Sequence, residues 1–245
     1  MAIRYYISFA LVFLVFAASC RQEEVGVNQP QSGSKTSQQS KVQPGEVTLA
    51  CSFEAKPGAA LHFQGKLANF SSRDIYVLNR LWTLDSSSKV IPDSEKFYRF
   101  VRGADLRILW GAAPLPRLQS VTYRNVPHAT LLKTGGVLQF EESMALPATE
   151  YSPYFPPALE ANVVPVQLSR VVLVIQYVEA GQGVNALPLL EDPSSVRFES
   201  AAALDHVLSL QCASSSLNIE AQKRTDQFDR LTLPGEMPEP LAIRP

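Results

Sequence analysis

Apolar and polar side chains alternate along much of the chain after residue 45, and no other feature limits the fold as strongly. Residues 47–54 place Val, Leu, Cys and Phe at every second position, with Thr, Ala, Ser and Glu between them. Successive side chains of a strand point to opposite faces, so this period is typical of a strand with one buried face. Similar apolar runs, separated by turn residues, occur at 61–67, 75–84, 97–101, 106–110, 137–144, 171–178 and 204–212.

These runs predict an all-β chain of about eight or nine short strands. Residues 171–178 are apolar almost without interruption, which is typical of a strand buried on both faces. Helical patterns are scarce: we expect short helices only near 199–204 and 218–231, and the 18 prolines weigh against long ones. Such strands bury their apolar faces best between two antiparallel sheets, so the sequence predicts a β-sandwich.

The order of turns adds a resemblance at the level of architecture. Residues 61–90 run strand, Asn-x-Ser turn, strand and Asp-Ser turn, and this layout resembles the immunoglobulin-like sandwiches of many bacterial envelope proteins. The resemblance covers this stretch alone and implies an antiparallel, immunoglobulin-like β-sandwich. It implies no site residues.

The beginning of the chain resembles an export signal. Arg4 precedes an apolar run at 7–18, which is too short to span a bilayer comfortably, since that takes about 20 apolar residues. The run leads into Ala-Ala-Ser-Cys at 17–20, which resembles the lipobox of bacterial lipoproteins. This resemblance implies a signal peptide at 1–19 and a lipid anchor on Cys20. The alternative is an ordinary signal peptide, with Cys20 an incidental thiol.

The segment after the lipobox resembles a tether. Arg21, in the position after Cys20, resembles lipoproteins that diderm bacteria sort to the outer membrane, which implies its periplasmic face. Residues 20–45 are rich in Gln and Ser and contain no aromatic residue, so we expect a flexible linker that spans about 25–30 Å. The sandwich is expected at 46–217, followed by a flexible, proline-containing tail at 218–245.

The three cysteines divide into one anchor and one pair. If Cys20 is lipidated, Cys51 and Cys212 remain, and export places both where disulfides persist. Each lies among the alternating apolar residues of its strand, so both face the core. We predict a Cys51–Cys212 disulfide; the alternative is two separate buried thiols.

Motifs for catalysis or for cofactor binding are missing from the sequence. It contains no nucleophile elbow, no phosphate-binding loop and no dinucleotide-binding turn. The histidines at 62, 128 and 206 stand outside metal-binding patterns, so we predict no metal, no cofactor and no catalytic residue. The net charge of −1 gives no reason to expect a nucleic-acid partner. Because catalytic triads are defined by geometry, a hydrolase site assembled across loops, for example at His206, stays an alternative.

One long connection is a candidate binding segment. Residues 146–165 contain five prolines and present Tyr151, Tyr154 and Phe155. Long connections are often functional, and aromatic side chains ordered by proline can bind a peptide, glycan or protein partner at low entropic cost. The alternative, which we favour, is a crossover whose aromatic side chains cover the core.

Charge is distributed unevenly along the chain. Residues 73–124 carry a net charge of +4 and residues 136–200 a net charge of −6. A basic face could attract anionic polymers or lipid headgroups. The simpler interpretation is that the two segments pair their charges across strands.

The sequence therefore predicts an exported, lipid-anchored protein of the bacterial cell envelope, with a non-catalytic module that binds or scaffolds. The membrane is its expected partner through Cys20, and an envelope protein or a glycan is a further one. Two alternatives stay open: an envelope hydrolase, and an inhibitor or assembly factor that uses the Tyr/Pro connection.

Overall fold

Strands account for nearly all of the regular structure. The structure, a computed structural model, describes residues 36–38, 46–56, 58–116, 121, 124–181, 183–190, 192–226 and 231, and gives only the backbone of 36–38. Within these residues the helices are two short 3-10 segments, Glu160–Asn162 and Ala201–His206. The all-β class is therefore confirmed.

The described part of the chain contains 17 strands, about twice the number predicted. In chain order they are β1 Thr36–Gln38, β2 Val47–Lys56, β3 Ala60–Asn69, β4 Ile75–Arg80, β5 Trp82–Leu84, β6 Val90–Pro92, β7 Tyr98–Arg102, β8 Asp105–Trp110, β9 His128–Leu132, β10 Val137–Ala145, β11 Ala148–Thr149, β12 Val163–Leu168, β13 Arg170–Glu179, β14 Ala186–Pro188, β15 Ser195–Phe198, β16 Leu208–Ala213 and β17 Ile219–Arg224. Five of the nine additional strands have two or three residues and are too short to show an alternation, while β9, β12, β15 and β17, with four to six residues each, were not predicted either.

A four-stranded antiparallel sheet in the order β1-β2-β3-β10 forms one layer. Leu49, Cys51 and Phe53 of β2 are buried, as their alternation predicts. Gly65 of β3 lies against the ring of Phe140 on β10, so closely that a β-carbon at position 65 would collide with the ring.

A larger sheet forms the second layer, in the order β14-β15-β9-β4-β13-β8-β7. Strand β16 pairs with β13 on the edge opposite β4 and β8. Every residue from 171 to 178 in β13 is buried, which confirms the prediction of burial on both faces. A small third sheet has the order β11-β17-β12, and β5 pairs with β6 as a separate hairpin.

Strand direction departs from the antiparallel prediction at two places. Strand β8 pairs with β13 in parallel, and β11 pairs with β17 in parallel, whereas the other pairs in the described residues are antiparallel. Parallel neighbours require a long crossover, and the whole stretch 111–169 lies between β8 and β13 in the chain. The alternation of each strand carries no information about such a crossover.

The end of the folded part also differs from the prediction. Strand β17 occupies part of 218–231, where a helix was expected, and lies beyond residue 217, the expected end of the sandwich. Ile219 and Ala221 of this strand are buried. The run expected at 204–212 becomes a strand only at Leu208, because the preceding 3-10 helix is capped by Ser200, whose Oγ accepts a hydrogen bond from the Ala202 amide at 3.1 Å.

The main core lies between the two layers and is closed by a disulfide. Side chains of β2 and β3 meet those of β4, β8 and β13, with Phe53, Phe63, Ile75, Ile108, Leu173 and Ile175 among the buried members. Cys51 of β2 and Cys212 of β16 form a disulfide, with their Cα atoms 6.3 Å apart. The predicted bridge is confirmed, and it joins the two layers.

Ion pairs connect the basic segment to the acidic one, as the simpler interpretation of the charge distribution predicts. The nitrogen–oxygen distances of these pairs are 3.0 Å for Arg73–Glu179, 3.3 Å for Arg80–Asp192, 2.8 Å for Lys96–Glu142 and 3.8 Å for Arg102–Glu150. The fold therefore mixes charges that the sequence separates.

Several sequence predictions fall outside the described residues: the signal peptide at 1–19, Cys20, most of the linker and positions 232–245 of the tail. In the part of the chain that the structure describes, no helix has the length and apolar character needed to cross a membrane.

Candidate functional site

An apolar groove lies where one end of the large sheet meets the β5–β6 hairpin. Its cavity measures about 510 Å³ and is lined by β6, the end of β4, the start of β9, residues 188–190, Asp192, Ser195 and Arg197. We call it the apolar groove and define it by six lining residues: Arg80, Trp82, Ile91, His128, Leu190 and Arg197.

The β5–β6 hairpin forms one wall, and Asp85 holds its turn. Asp85 Oδ1 accepts hydrogen bonds from the Ser87 amide at 2.8 Å, the Ser87 hydroxyl at 2.7 Å and the Lys89 amide at 2.9 Å. The Ser87 hydroxyl, with the Lys89 amide, lowers the pKa of Asp85. A short polar side chain that binds its own turn in this way favours a tight connection, which pairs Val90 with Leu84, Ile91 with Thr83 and Pro92 with Trp82.

A second Asp turn forms the opposite wall. Asp192 accepts hydrogen bonds from the Ser194 amide at 3.0 Å and from the Ser195 hydroxyl at 2.7 Å. The hydroxyls of Ser194 and Ser195 lower the pKa of Asp192. Arg80 lies 3.3 Å from the same carboxylate. Asp192 therefore stays ionised at neutral pH and ties the end of β4 to the loop before β15.

Trp82 and His128 line the groove as a stacked pair. Their ring centroids are 6.0 Å apart, with an interplanar angle of 27°. Trp82 Nε1 donates to the Val126 carbonyl at 2.7 Å, which fixes the indole. Burial, and then the charge of Arg197, lowers the pKa of His128, so the imidazole is neutral at pH 7.

The rim of the groove exposes large apolar side chains. Val90 is 46% exposed, Ile91 is 36% exposed, and Leu190 is fully exposed. Scattered apolar residues are normal on a surface, but these three border a single concavity. Covering the groove would remove their apolar surface from water.

A serine, a histidine and an aspartate share the groove, but they do not form a catalytic triad. Ser195 is buried and donates its hydroxyl proton to Asp192 at 2.7 Å. In a triad the serine donates to the histidine. Ser195 pairs in the sheet with Thr130, which follows His128 along β9. These hydrogen bonds therefore stabilise the turn and do not activate Ser195 as a nucleophile.

The aromatic residues of the Tyr/Pro connection pack against the protein. Tyr151, Tyr154 and Phe155 are half-buried and contact an apolar cluster on the outer face of the large sheet. Burial, and then the hydrogen bond to Asp93 at 2.6 Å, raises the pKa of Tyr151. Tyr154 Oη accepts from the Asn125 amide at 2.9 Å.

Phe155 has a cationic neighbour as well. The guanidinium of Arg224 lies 5.5 Å from the centre of its ring. The connection also contains β11, the 3-10 helix Glu160–Asn162 and the start of β12, so the stretch without regular structure is shorter than the sequence suggested. This geometry fits the crossover that covers the core.

The remaining histidines lie away from the groove. His62 is on β3, and His206 ends the 3-10 helix Ala201–His206. Among the described residues, no three His, Cys, Asp or Glu side chains are arranged to hold a metal ion. Two other depressions lie on the four-stranded sheet and beside residues 94–99, and both have a mostly polar lining.

Sequence reasoning missed the groove. Three of the strands that contribute to its lining, β5, β6 and β14, have three residues each and show no alternation, and Trp82 was assigned to a longer strand that in fact breaks at Leu81. One available signal was the exposed Val90-Ile91 pair directly after an Asp-Ser turn. Comparison of the chain with protein-family models, with curated proteins and with solved structures found no match.

Proposed function

We propose that this chain is an exported, lipid-anchored protein of the bacterial cell envelope, whose β domain is a non-catalytic binding module. The apolar groove is the binding surface, and its rim of exposed Val90, Ile91 and Leu190 is the observation that carries the proposal. A concave, mostly apolar cavity with a few polar groups is the usual form of a binding site.

Export and anchoring rest on sequence and are compatible with the disulfide. The Ala-Ala-Ser-Cys motif at 17–20 supports lipid on Cys20, and Arg21 supports sorting to the periplasmic face of the outer membrane. Cys51–Cys212 is a bridge that persists in an oxidising compartment. Two or more acyl chains give stable anchoring, and the linker would hold the domain near the membrane surface.

The proposal also includes an immunoglobulin-like architecture for the β domain. A disulfide that joins two packed sheets supports it, since immunoglobulin domains carry an inter-sheet bridge. The parallel β8–β13 pair is a departure from that architecture.

Labelled palmitate tests the anchor. We expect the label to enter the wild-type chain expressed in a diderm bacterium and to be absent from Cys20→Ser. The control Cys51→Ala, Cys212→Ala removes both cysteines of the disulfide, retains Cys20 as its only cysteine, and should keep the label. Equal labelling of the wild type and Cys20→Ser would contradict the anchor.

Photocrosslinking tests the groove. A photoreactive amino acid at position 190 in living cells is expected to capture one major partner, whereas the same group at Leu159, which is 66% exposed and outside the groove, captures it much less. Equal capture at both positions, or none at 190, would contradict a binding function for the groove.

A further inference from the structure

We propose that the apolar groove binds an extended apolar peptide that carries a carboxylate, and that Arg197 is the group that pairs with that carboxylate. This inference rests on the proposed function, because it names the ligand class of the same groove. Three independent observations carry it: the charge of the groove, its exposed apolar rim and the open strand edges in its walls.

The charges of the groove favour an anion. Two arginines, Arg80 and Arg197, face one aspartate, and Asp192 is already paired with Arg80 at 3.3 Å. In the described residues no carboxylate forms an ion pair with Arg197, and this side chain is exposed. His128 beside it is neutral at pH 7. A guanidinium offers a planar fork that matches a carboxylate, so Arg197 is suited to bind one.

The lining of the groove favours a ligand whose remaining part, apart from the carboxylate, is apolar. Val90, Ile91 and Leu190 are exposed at the rim, and the indole of Trp82 lines the interior. The cavity of about 510 Å³ lies within the range of ordinary ligand pockets. Burial of these side chains would supply the main favourable free energy, while the arginine would fix the orientation.

Open strand edges favour a peptide over an acyl chain. Within the described chain, β6 pairs only with β5, and β14 pairs only with β15, so each strand keeps one edge without a partner. Both strands contribute residues to the groove. An extended peptide can hydrogen-bond to such an edge through its main chain, whereas an acyl chain has no group that can do so.

A defined set of probes tests the ligand class. The probes are acetylated tetrapeptide mixtures built from Val, Leu, Ile, Phe and Tyr, in three forms: free carboxylate, carboxamide, and carboxamide with one residue replaced by Glu. Octanoate serves as the acyl probe. The full chain carrying Cys20→Ser avoids detergent, and the His128 ring resonance reports binding beside Trp82.

We expect the free-acid mixture to bind at least about tenfold more tightly than the carboxamide. Arg197→Gln should remove the preference for the acid, and the matched control Arg73→Gln should keep it. If the Glu-containing form binds as tightly as the free-acid form, a side-chain carboxylate suffices for recognition. If it binds more weakly, the groove recognises the carboxylate of a peptide C-terminus. Both results support the proposal.

Three results would overturn the proposal: no binding of any peptide form, equal affinity of acid and carboxamide for the unsubstituted Arg197 chain, or octanoate binding that exceeds the peptides. These failures differ from a failure of the proposed function. Specific capture through position 190 without peptide binding would keep a binding groove and reject this ligand class, whereas absence of specific capture would reject the groove itself.

Discussion

His128 has two partners, Trp82 and Arg197, that a sequence pattern does not reveal. It begins β9, stacks on Trp82 and lies beside Arg197, and the sequence showed only a histidine outside any motif. Both partners lie far from His128 along the chain, one before it and one after it, so their meeting depends on the tertiary fold. Cys51 and Cys212 are a contrasting case: apolar alternation predicted that both face the core, and the expected compartment, with two cysteines left after Cys20, predicted their pairing.

The pKa of His128 gives a prediction with a definite sign. Burial, and then Arg197, lowers this pKa from the usual 6.5. The unfolded chain therefore binds a proton at a higher pH than the folded one, and the free energy of unfolding should fall as the pH drops from about 6.5 to the folded-state pKa, then level off. The measurement is urea unfolding across pH 5–7, with His128→Asn as the reference that lacks this component.

Replacement of Arg197 separates the two causes of the lowered His128 pKa, which are burial and the charge of Arg197. Arg197→Gln should raise the pKa of His128 without restoring 6.5, because burial remains, and a proton NMR titration follows the imidazole directly. Arg73→Gln, a change on a different ion pair, should leave the titration as it is. An unchanged pKa in Arg197→Gln would show that Arg197 does not act on His128.

Long strands were predicted well, and short ones were missed. β2, β3, β10 and β13 have nine or ten residues each, which is long enough for alternation or a continuous apolar run to be recognised in the sequence. The β7–β8 hairpin was expected from its Gly-Ala-Asp connection. β5, β6 and β14 have three residues each, and each of them contributes to the lining of the groove. The candidate site was therefore harder to predict than the fold class, because its elements are too short to carry a period.

The Cys51–Cys212 bridge joins the two layers and should contribute strongly to stability. The cysteines are 161 residues apart, so the bridge restricts the unfolded chain over most of the domain. The chain-entropy account gives about 5 kcal/mol for a loop of that length. Denaturant unfolding of oxidised and reduced protein measures the difference; a Cys51→Ala and Cys212→Ala double variant should match the reduced protein and should not respond to reductant.

Strand β17 belongs to the folded part of the chain. A chain that stops after residue 217 lacks buried Ile219, Ala221 and Arg224, and Glu150 loses the amide of Arg224, which donates to it at 2.8 Å. We expect this chain to lose cooperative unfolding in circular dichroism. A chain that stops after residue 231 keeps β17 and should unfold as the full chain does. If both truncated chains unfold cooperatively at the same temperature, β17 is not part of the folded unit.

Alanine replacement in the Tyr/Pro connection tests whether its aromatic side chains cover the core or form a binding site. Replacement of Tyr151, Tyr154 and Phe155 by alanine should lower the unfolding temperature markedly, because their rings cover apolar residues of β7, β8 and β13. Thermal unfolding followed by circular dichroism checks this. Unchanged stability together with loss of a bound partner would instead assign these aromatic residues to a binding site.

At the scale of the whole molecule, the uneven charge distribution contributes to the fold, whereas the groove is assigned to binding. Four ion pairs connect the basic segment to the acidic one, and each exposed pair contributes only about 0–1 kcal/mol. The groove keeps an arginine and an apolar rim on its surface. The described part of the chain is thus a two-layer β domain that is closed by a disulfide and has a concave apolar groove, whose function we assign to binding.

The most direct test of this account separates binding from folding in one variant. Ile91→Asp places a charge on the exposed rim, so we predict that the free energy of unfolding changes by less than about 0.5 kcal/mol, while partner capture through a photoreactive group at position 190 falls at least about tenfold. Leu159→Asp, which changes an exposed leucine elsewhere, should alter neither. Unchanged capture in Ile91→Asp, or a loss of capture matched by a loss of stability, would contradict the groove as the binding surface.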